Sequence, residues 1–392
     1  SSQTVGNPSS QSGIESLSDM PSSAPTRGAF HGVVLGVGLL LLSSPFEECH
    51  ALAFARDSAL AFTRGSMHEV WVTGGIAPCR FSSVSVGSKC NPHFERLKVV
   101  SAPKPRPNAR EALVRVMASS VNPTDWKHFL FVPGSYVPGN DFAGVVEQVG
   151  ASCGFQVGNE VWGIHGGAYS EYIAVDCNHL SLKPRNYQLV EAGSLGVVAM
   201  TGLQGLRWAG APWKASAAPR VLVTGGSSGT GHVGIQLAKA LGAKEVITTC
   251  SPDNFDYVRG LGADRVLDYH TENWWEVLPR GSVDVIYDCI SAPGTGDRAY
   301  QVLADGGRFI TLLVEARVSP LVAMTRPSVS QYYFLCDQDE TPQLDMVTQQ
   351  AEAGKLNVTI AKTYRGLGSI AAAFQETMKG HNVGKVAIEI GS

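Results

Sequence analysis

Pro219–Ser251 reads PRVLVTGGSSGTGHVGIQLAKALGAKEVITTCS. A β-rich run, Val221–Thr224, passes directly into a Gly/Ser stretch. A helical pattern follows, with Val233, Leu237, Ala238 and Leu241 on one side, and then a second apolar run, Val246–Thr249. Within it Gly229, Gly231 and Gly234 spell G-x-G-x-x-G. Strand, glycine turn, helix and strand together form the context in which that pattern marks a dinucleotide site. The first glycine is expected to permit the tight turn, the second to let backbone approach a pyrophosphate, and the third to let helix pack on strand. The unpaired N–H groups and positive dipole end of the helix would hold the phosphates. The plain alternative is a glycine-rich βα turn without a ligand.

An NAD site places Asp or Glu about 20 residues downstream, on the ribose hydroxyls. That window here is Thr249-Cys250-Ser251-Pro252-Asp253-Asn254, with no acid before Asp253. A carboxylate at the strand end would repel a 2′-phosphate, whereas Ser251 and Asn254 can hydrogen-bond one. NADPH is the cofactor this favours; Asp253 could instead serve the ribose of NADH.

The 392 residues suffice for two domains and an appendage. Lys+Arg 31 against Asp+Glu 34 leaves a net charge of −3, which gives no electrostatic case for nucleic acid or an anionic membrane. The eight cysteines contain no C-x-x-C, which argues against a zinc ribbon and a disulfide framework and suggests a reducing compartment. Residues 1–66 read as a leader. Ser1–Asp19 is Ser/Gln/Gly-rich; Met20 opens a short basic stretch; Gly32–Leu42 is apolar but too short to span a bilayer comfortably. Ala51-Leu52-Ala53 followed by Phe54 resembles the cleavage site of the two-part leaders that address proteins to plastids of secondary endosymbiotic origin. Residues 54–66 would be the transit part. A secretory signal or a membrane anchor is the alternative.

From Met67 the sequence becomes globular. Short strand patterns punctuated by Gly and Pro, including Ala112–Met117, Phe142–Val149, Glu160–Gly163 and Tyr169–Val175, predict a small β-rich domain ahead of the nucleotide unit. Glu191–Trp208 reads as a helix bridging the two. Four segments keep a characteristic order: Ser119–His128 (SSVNPTDWKH), Val137–Val146 (VPGNDFAGVV), Gly158–Gly163 (GNEVWG) and Gly167–Tyr172 (GAYSEY). With Met200-Thr201-Gly202-Leu203-Gln204, Leu261–Asp264 and Val383–Val386, they resemble the medium-chain dehydrogenase/reductase superfamily over Met67–Ser392. The resemblance implies an α/β fold: a doubly wound parallel Rossmann sheet plus a β-rich GroES-like catalytic domain. Its parts would be 67–190 (catalytic, first part), 191–335 (Rossmann, NADP-binding) and 336–392 (return to the catalytic domain).

Zinc-dependent members carry a cysteine where this chain has Asn122 and a His-Glu pair where it has Asn140-Asp141. Asn122 cannot become a thiolate and Asn140 is a poor zinc ligand, so no metal is expected. The sequence is similar to the zinc-free quinone oxidoreductase and enoyl reductase branch, in particular to trans-acting enoyl reductases. The resemblance implies reduction of an α,β-unsaturated carbonyl or a quinone, with a donor on the carbonyl oxygen and a proton delivered to the α-carbon. Lys127 is the first candidate for that donor, Tyr136 the second, with Asn122 and Thr201 lining the cleft. By the same resemblance Ser227, Ser228, Gly229, Thr230 and Gly231 would hold the diphosphate, and Asp125 and Trp126 would lie beside the cofactor. Ser251, Asn254 and Tyr269 would surround the 2′-phosphate; Thr311 and Leu312 would contact the nicotinamide amide; Val383, Gly384 and Lys385 would close over it. His165 reads as a surface histidine. Gln331–Leu335 suggests an edge strand and a homodimer. A non-catalytic NADPH-binding protein of the same fold is the competing reading.

Overall fold

The computed structural model describes residues 62–72, 94–131, 135–333, 336 and 341–391. The cleavage site and most of the leader lie outside the described residues. The first strand, β1 (Phe62–Val72), begins ahead of Met67, inside the stretch read as transit-like, and pairs antiparallel with β2 (Leu97–Pro105).

Five strands follow: β3 (Glu111–Val121), β4 (Asp141–Val149), β5 (Glu160–Ile164), β6 (Tyr172–Asp176) and β7 (Leu180–Leu182). Helix α1 (Pro123–Phe131) leaves β3 directly, with proline in its first turn, where the missing N–H costs nothing. Tyr169–Ser170, expected to open a strand, precede β6. Phe142, Val146, Val161, Ile173 and Leu180 fill the core between these strands. At its margin Cys153 and Cys177 are joined in a disulfide across a separation of 24 residues. This corrects the reading of the cysteines as unpaired; no local spacing motif announces a bond between two loops.

The bridging helix is broken in two. A short turn, Leu189–Ala192, is followed by α2 (Gly196–Trp208), whose Val198, Ala199, Met200, Leu203 and Leu206 are buried. They belong to one apolar cluster that also holds Trp162 and Ile164 of β5 and Val221 and Val223 of the next sheet, so the two halves share a core. Each fully buried valine, leucine or methionine among them contributes about 1.5–3 kcal/mol.

The second sheet comprises β8 (Arg220–Thr224), β9 (Glu245–Cys250), β10 (Arg265–Asp268), β11 (Val283–Asp288), β12 (Leu303–Thr311) and β13 (Ser330–Tyr333). All are parallel, in the order β10-β9-β8-β11-β12-β13. The order reverses between β8 and β11, and ligands of such sheets bind at that switch point, beyond the carboxyl ends of the strands. Helix α3 (Gly231–Ala240) starts there. The chain then returns: β14 (Ile360–Arg365) lies parallel to β15 (Lys385–Glu389), and β15 pairs antiparallel with β3, Val386 opposite Val121. No described helix is long and apolar enough to cross a membrane.

Candidate active site

At the switch point the left-handed residue of the turn is Gly225 (φ 65°), not Gly229. Gly231 is needed for a close approach within the turn itself, since a Cβ there would stand 2.1 Å from the Gly225 carbonyl oxygen. Gly234 packs on the sheet as expected, a Cβ there meeting the Tyr287 ring at 2.9 Å. Ser228 Oγ accepts from Gly231 N–H at 3.1 Å and so ties the turn to the first residue of α3. His232 is fully buried between the Ser228 carbonyl and Thr359 N–H, and burial holds its imidazole neutral with a pKa near 4.

Ser227, Ser251 and Asn254 converge beside this turn. Asn254 Nδ2 donates to Ser251 Oγ at 3.0 Å and to Ser227 Oγ at 3.5 Å, all from partly exposed positions. This uncharged cluster and the glycine-rich turn fit the 2′-phosphate and diphosphate of a dinucleotide. Asp253 beside it is exposed. Tyr269 is 52% exposed and lies against the His270 ring, 4.1 Å between centroids.

At the end of β12 the Thr311 side chain is turned into the protein. It is fully buried and meets Ser291 Oγ at 3.1 Å, while Leu312 N–H donates to the same Oγ at 3.0 Å. Both polar groups expected to touch the nicotinamide amide are thus engaged by Ser291, a residue with positive φ (55°) that sequence reasoning did not single out.

The wall formed by α1 departs further from expectation. Asn122 is 1% exposed and both ends of its amide are occupied: Nδ2 donates to Asp141 Oδ2 at 2.8 Å, and Oδ1 accepts from Lys385 Nζ at 2.5 Å. These bonds and its burial hold the amide within the protein. Asp125 is equally buried. Its Oδ2 accepts from Asn122 N–H at 2.8 Å and Tyr169 Oη at 2.9 Å, and its Oδ1 accepts from Asn140 Nδ2. The Asn122 bond closes the first turn of α1 in the manner of a capping box. Burial raises the Asp125 carboxyl to about 6, helped by Asp141 and opposed by these hydrogen bonds. Trp126, placed beside the cofactor by sequence, packs instead among Phe94, Tyr169 and Phe374, 5% exposed. Tyr136 leans on the same core; its hydroxyl is buried without a hydrogen-bond partner, and burial raises its pKa. His165 is half-buried: its Nδ1 is buried without a partner, and desolvation lowers its pKa to about 4.

Like Thr124 before it, Lys127 of α1 is half-buried. Burial lowers its pKa, and the carboxylate of Glu315, just beyond β12, counters that shift. Lys127 lies within electrostatic reach of Glu315, a neighbour no motif indicated. Thr201, 7% exposed, sits in the second turn of α2. Val383–Lys385 do reach the glycine turn, where Gly384 N–H donates to the Ser227 carbonyl at 2.9 Å, but the Lys385 side chain points into the protein. Among the described residues no group of three or more His, Cys, Asp or Glu could hold a metal ion.

Two family models match the chain: the GroES-like domain of alcohol dehydrogenases over residues 108–185, and a zinc-binding dehydrogenase domain over residues 261–388. A quinone-oxidoreductase homolog from chloroplasts of Spinacia oleracea is 30% identical over 312 residues, covering 75% of this chain and 94% of that protein. A 2-methylene-furan-3-one reductase of Solanum lycopersicum is 37% identical over 220 residues, and that match spans 52% of this chain and 54% of the tomato protein. Among solved structures, the quinone oxidoreductase of Coxiella burnetii superposes with a TM-score of 0.69 at 23% identity, over 83% of this chain and all of that one. Sheet order, the glycine turn and near full-length similarity agree, and the chain belongs to the medium-chain dehydrogenase/reductase family, in its zinc-free quinone oxidoreductase and enoyl reductase branch.

Proposed function

We propose that this oxidoreductase uses NADPH to reduce the C=C bond of α,β-unsaturated carbonyl compounds, with quinones as the neighbouring substrate class. The observation that carries the reading is the uncharged Ser227–Ser251–Asn254 cluster at the glycine turn, together with the half-buried Lys127 of α1 and its neighbour Glu315. Bound there, the reduced nicotinamide supplies a hydride for the β-carbon. The chain's own part is electrostatic. The Lys127 ammonium donates a hydrogen bond to the substrate carbonyl oxygen, where negative charge develops as the β-carbon is reduced. Its lowered pKa also suits it to pass a proton on, which then reaches the α-carbon. Tyr136 is the second donor, its unpartnered hydroxyl being available after a small displacement. Thr201 shapes the opposite wall. Asn122 and Asn140 offer amides where a metal would need a thiolate and an imidazole, so polarisation of the carbonyl falls to Lys127.

The Ala51-Leu52-Ala53-Phe54 site and the chloroplast relative from spinach support a plastid address. The outer edge of β13, with Tyr332 exposed, supports pairing with a second copy. The decisive experiment follows NADPH absorbance on a panel of enones, enoyl thioesters and quinones. Turnover on at least one class is expected; tight NADPH binding with no turnover on any of them would make the protein a binder, not an enzyme.

A further inference from the structure

Asp141 and Lys385 form a buried ion pair at 3.2 Å, with side chains 0% and 2% exposed. Asp141 opens β4, and its two oxygens reach in different directions. Oδ1 accepts from Val197 N–H at 2.7 Å, in the first turn of α2; Oδ2 accepts from Ser120 Oγ at 2.6 Å and Asn122 Nδ2 at 2.8 Å, at the end of β3. Lys385 opens β15, and its Nζ also donates to the Val121 carbonyl at 3.2 Å and to Asn122 Oδ1. Its stem passes along the glycine turn, since a Cβ on Gly229 would stand 3.3 Å from Lys385 Cδ and 3.3 Å from the Gly384 carbonyl oxygen. One ion pair therefore touches the turn that would hold the diphosphate, the start of α1 with Lys127, and the start of α2 with Thr201.

We infer that Lys385 is a positioning residue: paired with Asp141, it pins the glycine turn to the first turns of α1 and α2, and so fixes the two crevice walls relative to the cofactor. The inference deepens the reductase reading and rests on it for its catalytic consequence. Its physical basis is separate. A buried charge pair tolerates little displacement, because separating the partners leaves a desolvated charge. An error of about 1 Å at a reacting centre can cost about a hundredfold in rate. Lys385 contributes no phosphate contact in this arrangement, as its ammonium is consumed by three oxygens on the catalytic side.

The test uses the full chain carrying Lys385→Met with Asp141→Asn, which removes both charges and leaves neither unpaired. Hydrogen exchange without cofactor should show protection falling at least tenfold, and together, in Ser227–Gly231, Asn122–Lys127 and Val197–Thr201, with Val283–Asp288 unchanged. Loss in one segment alone, or in none, overturns the inference. Lys385→Gln, which keeps a donor and drops the charge, should give the same coordinated loss if the double variant does not fold. In turnover, kcat should fall at least tenfold while the NADPH Kd stays within threefold. A tenfold rise in Kd at unchanged kcat would mean that the lysine serves the cofactor directly, and would overturn the inference. If the unaltered protein turns over no enone, enoyl or quinone substrate, the functional reading fails while the exchange measurement still decides the pin.

Discussion

Replacing Asp125 by asparagine should change how stability responds to pH. The carboxyl is 1% exposed and its pKa stands near 6 in the folded protein against an ordinary 3.8, chiefly through burial. A folded pKa above the unfolded one means that the native state holds the proton more tightly. The favourable contribution is then complete below about pH 4 and is lost as pH rises through 6. Moving from 3.8 to about 6, at about 1.36 kcal/mol for each pH unit, amounts to roughly 3 kcal/mol. For the folded unit Leu60–Ser392, unfolding entropy near 2.1 cal/mol/K per residue converts this to about 4 °C in Tm. Asp125→Asn cannot titrate, and its lost acceptor for Asn122 N–H or Tyr169 Oη adds only a pH-independent offset. Thermal unfolding of both proteins between pH 4 and 7 should thus show the wild-type-minus-variant Tm falling by about 4 °C as pH rises. A flat difference curve would refute the assignment of a raised pKa to Asp125 and the burial argument behind it.

Other consequences can be measured as readily. Lys127→Met should lower kcat/KM about 10²–10³-fold on enone substrates, the usual loss for a donor to a developing oxyanion, with NADPH affinity within threefold; a loss confined to NADPH binding would place the lysine on the cofactor instead. Ser251→Asp sets a carboxylate where a 2′-phosphate would lie. At about 4 Å and partial exposure the repulsion is on the order of 2 kcal/mol, so NADPH should bind about 30-fold more weakly while NADH is little affected. Reducing the Cys153–Cys177 bridge, or changing both residues to serine, opens a loop of 24 residues and should cost about 3 kcal/mol of stability, read as a lower denaturant midpoint. An unchanged midpoint would show that the unfolded chain gains nothing from losing the bridge.

What could be read in advance was whatever is written locally. The alternation of β3, the strand–turn–helix around Gly231 and the apolar stripe of α2 each follow from residues within one or two turns of one another. What could not be read depends on partners far along the chain. Lys385 meets Asn122 across a separation of 263 residues, and no pattern near either says that an ammonium will occupy the amide. Trp126 and Lys127 are neighbours in sequence on successive faces of α1, so a motif names both, while only the packing of Phe374 and Tyr169 decides that the tryptophan goes inward. Thr311 was placed at the correct strand end, but its hydroxyl was claimed by Ser291, twenty residues earlier. The cysteines misled because a disulfide between two loops needs only their proximity.

The glycine turn is the predicted seat of a phosphorylated nicotinamide. Calorimetric titration of the purified full chain with NADPH and NADH measures this directly. One molecule of NADPH per chain is predicted, bound at least tenfold more tightly than NADH and weakened by Ser251→Asp; heat signals at baseline for both nucleotides would contradict it.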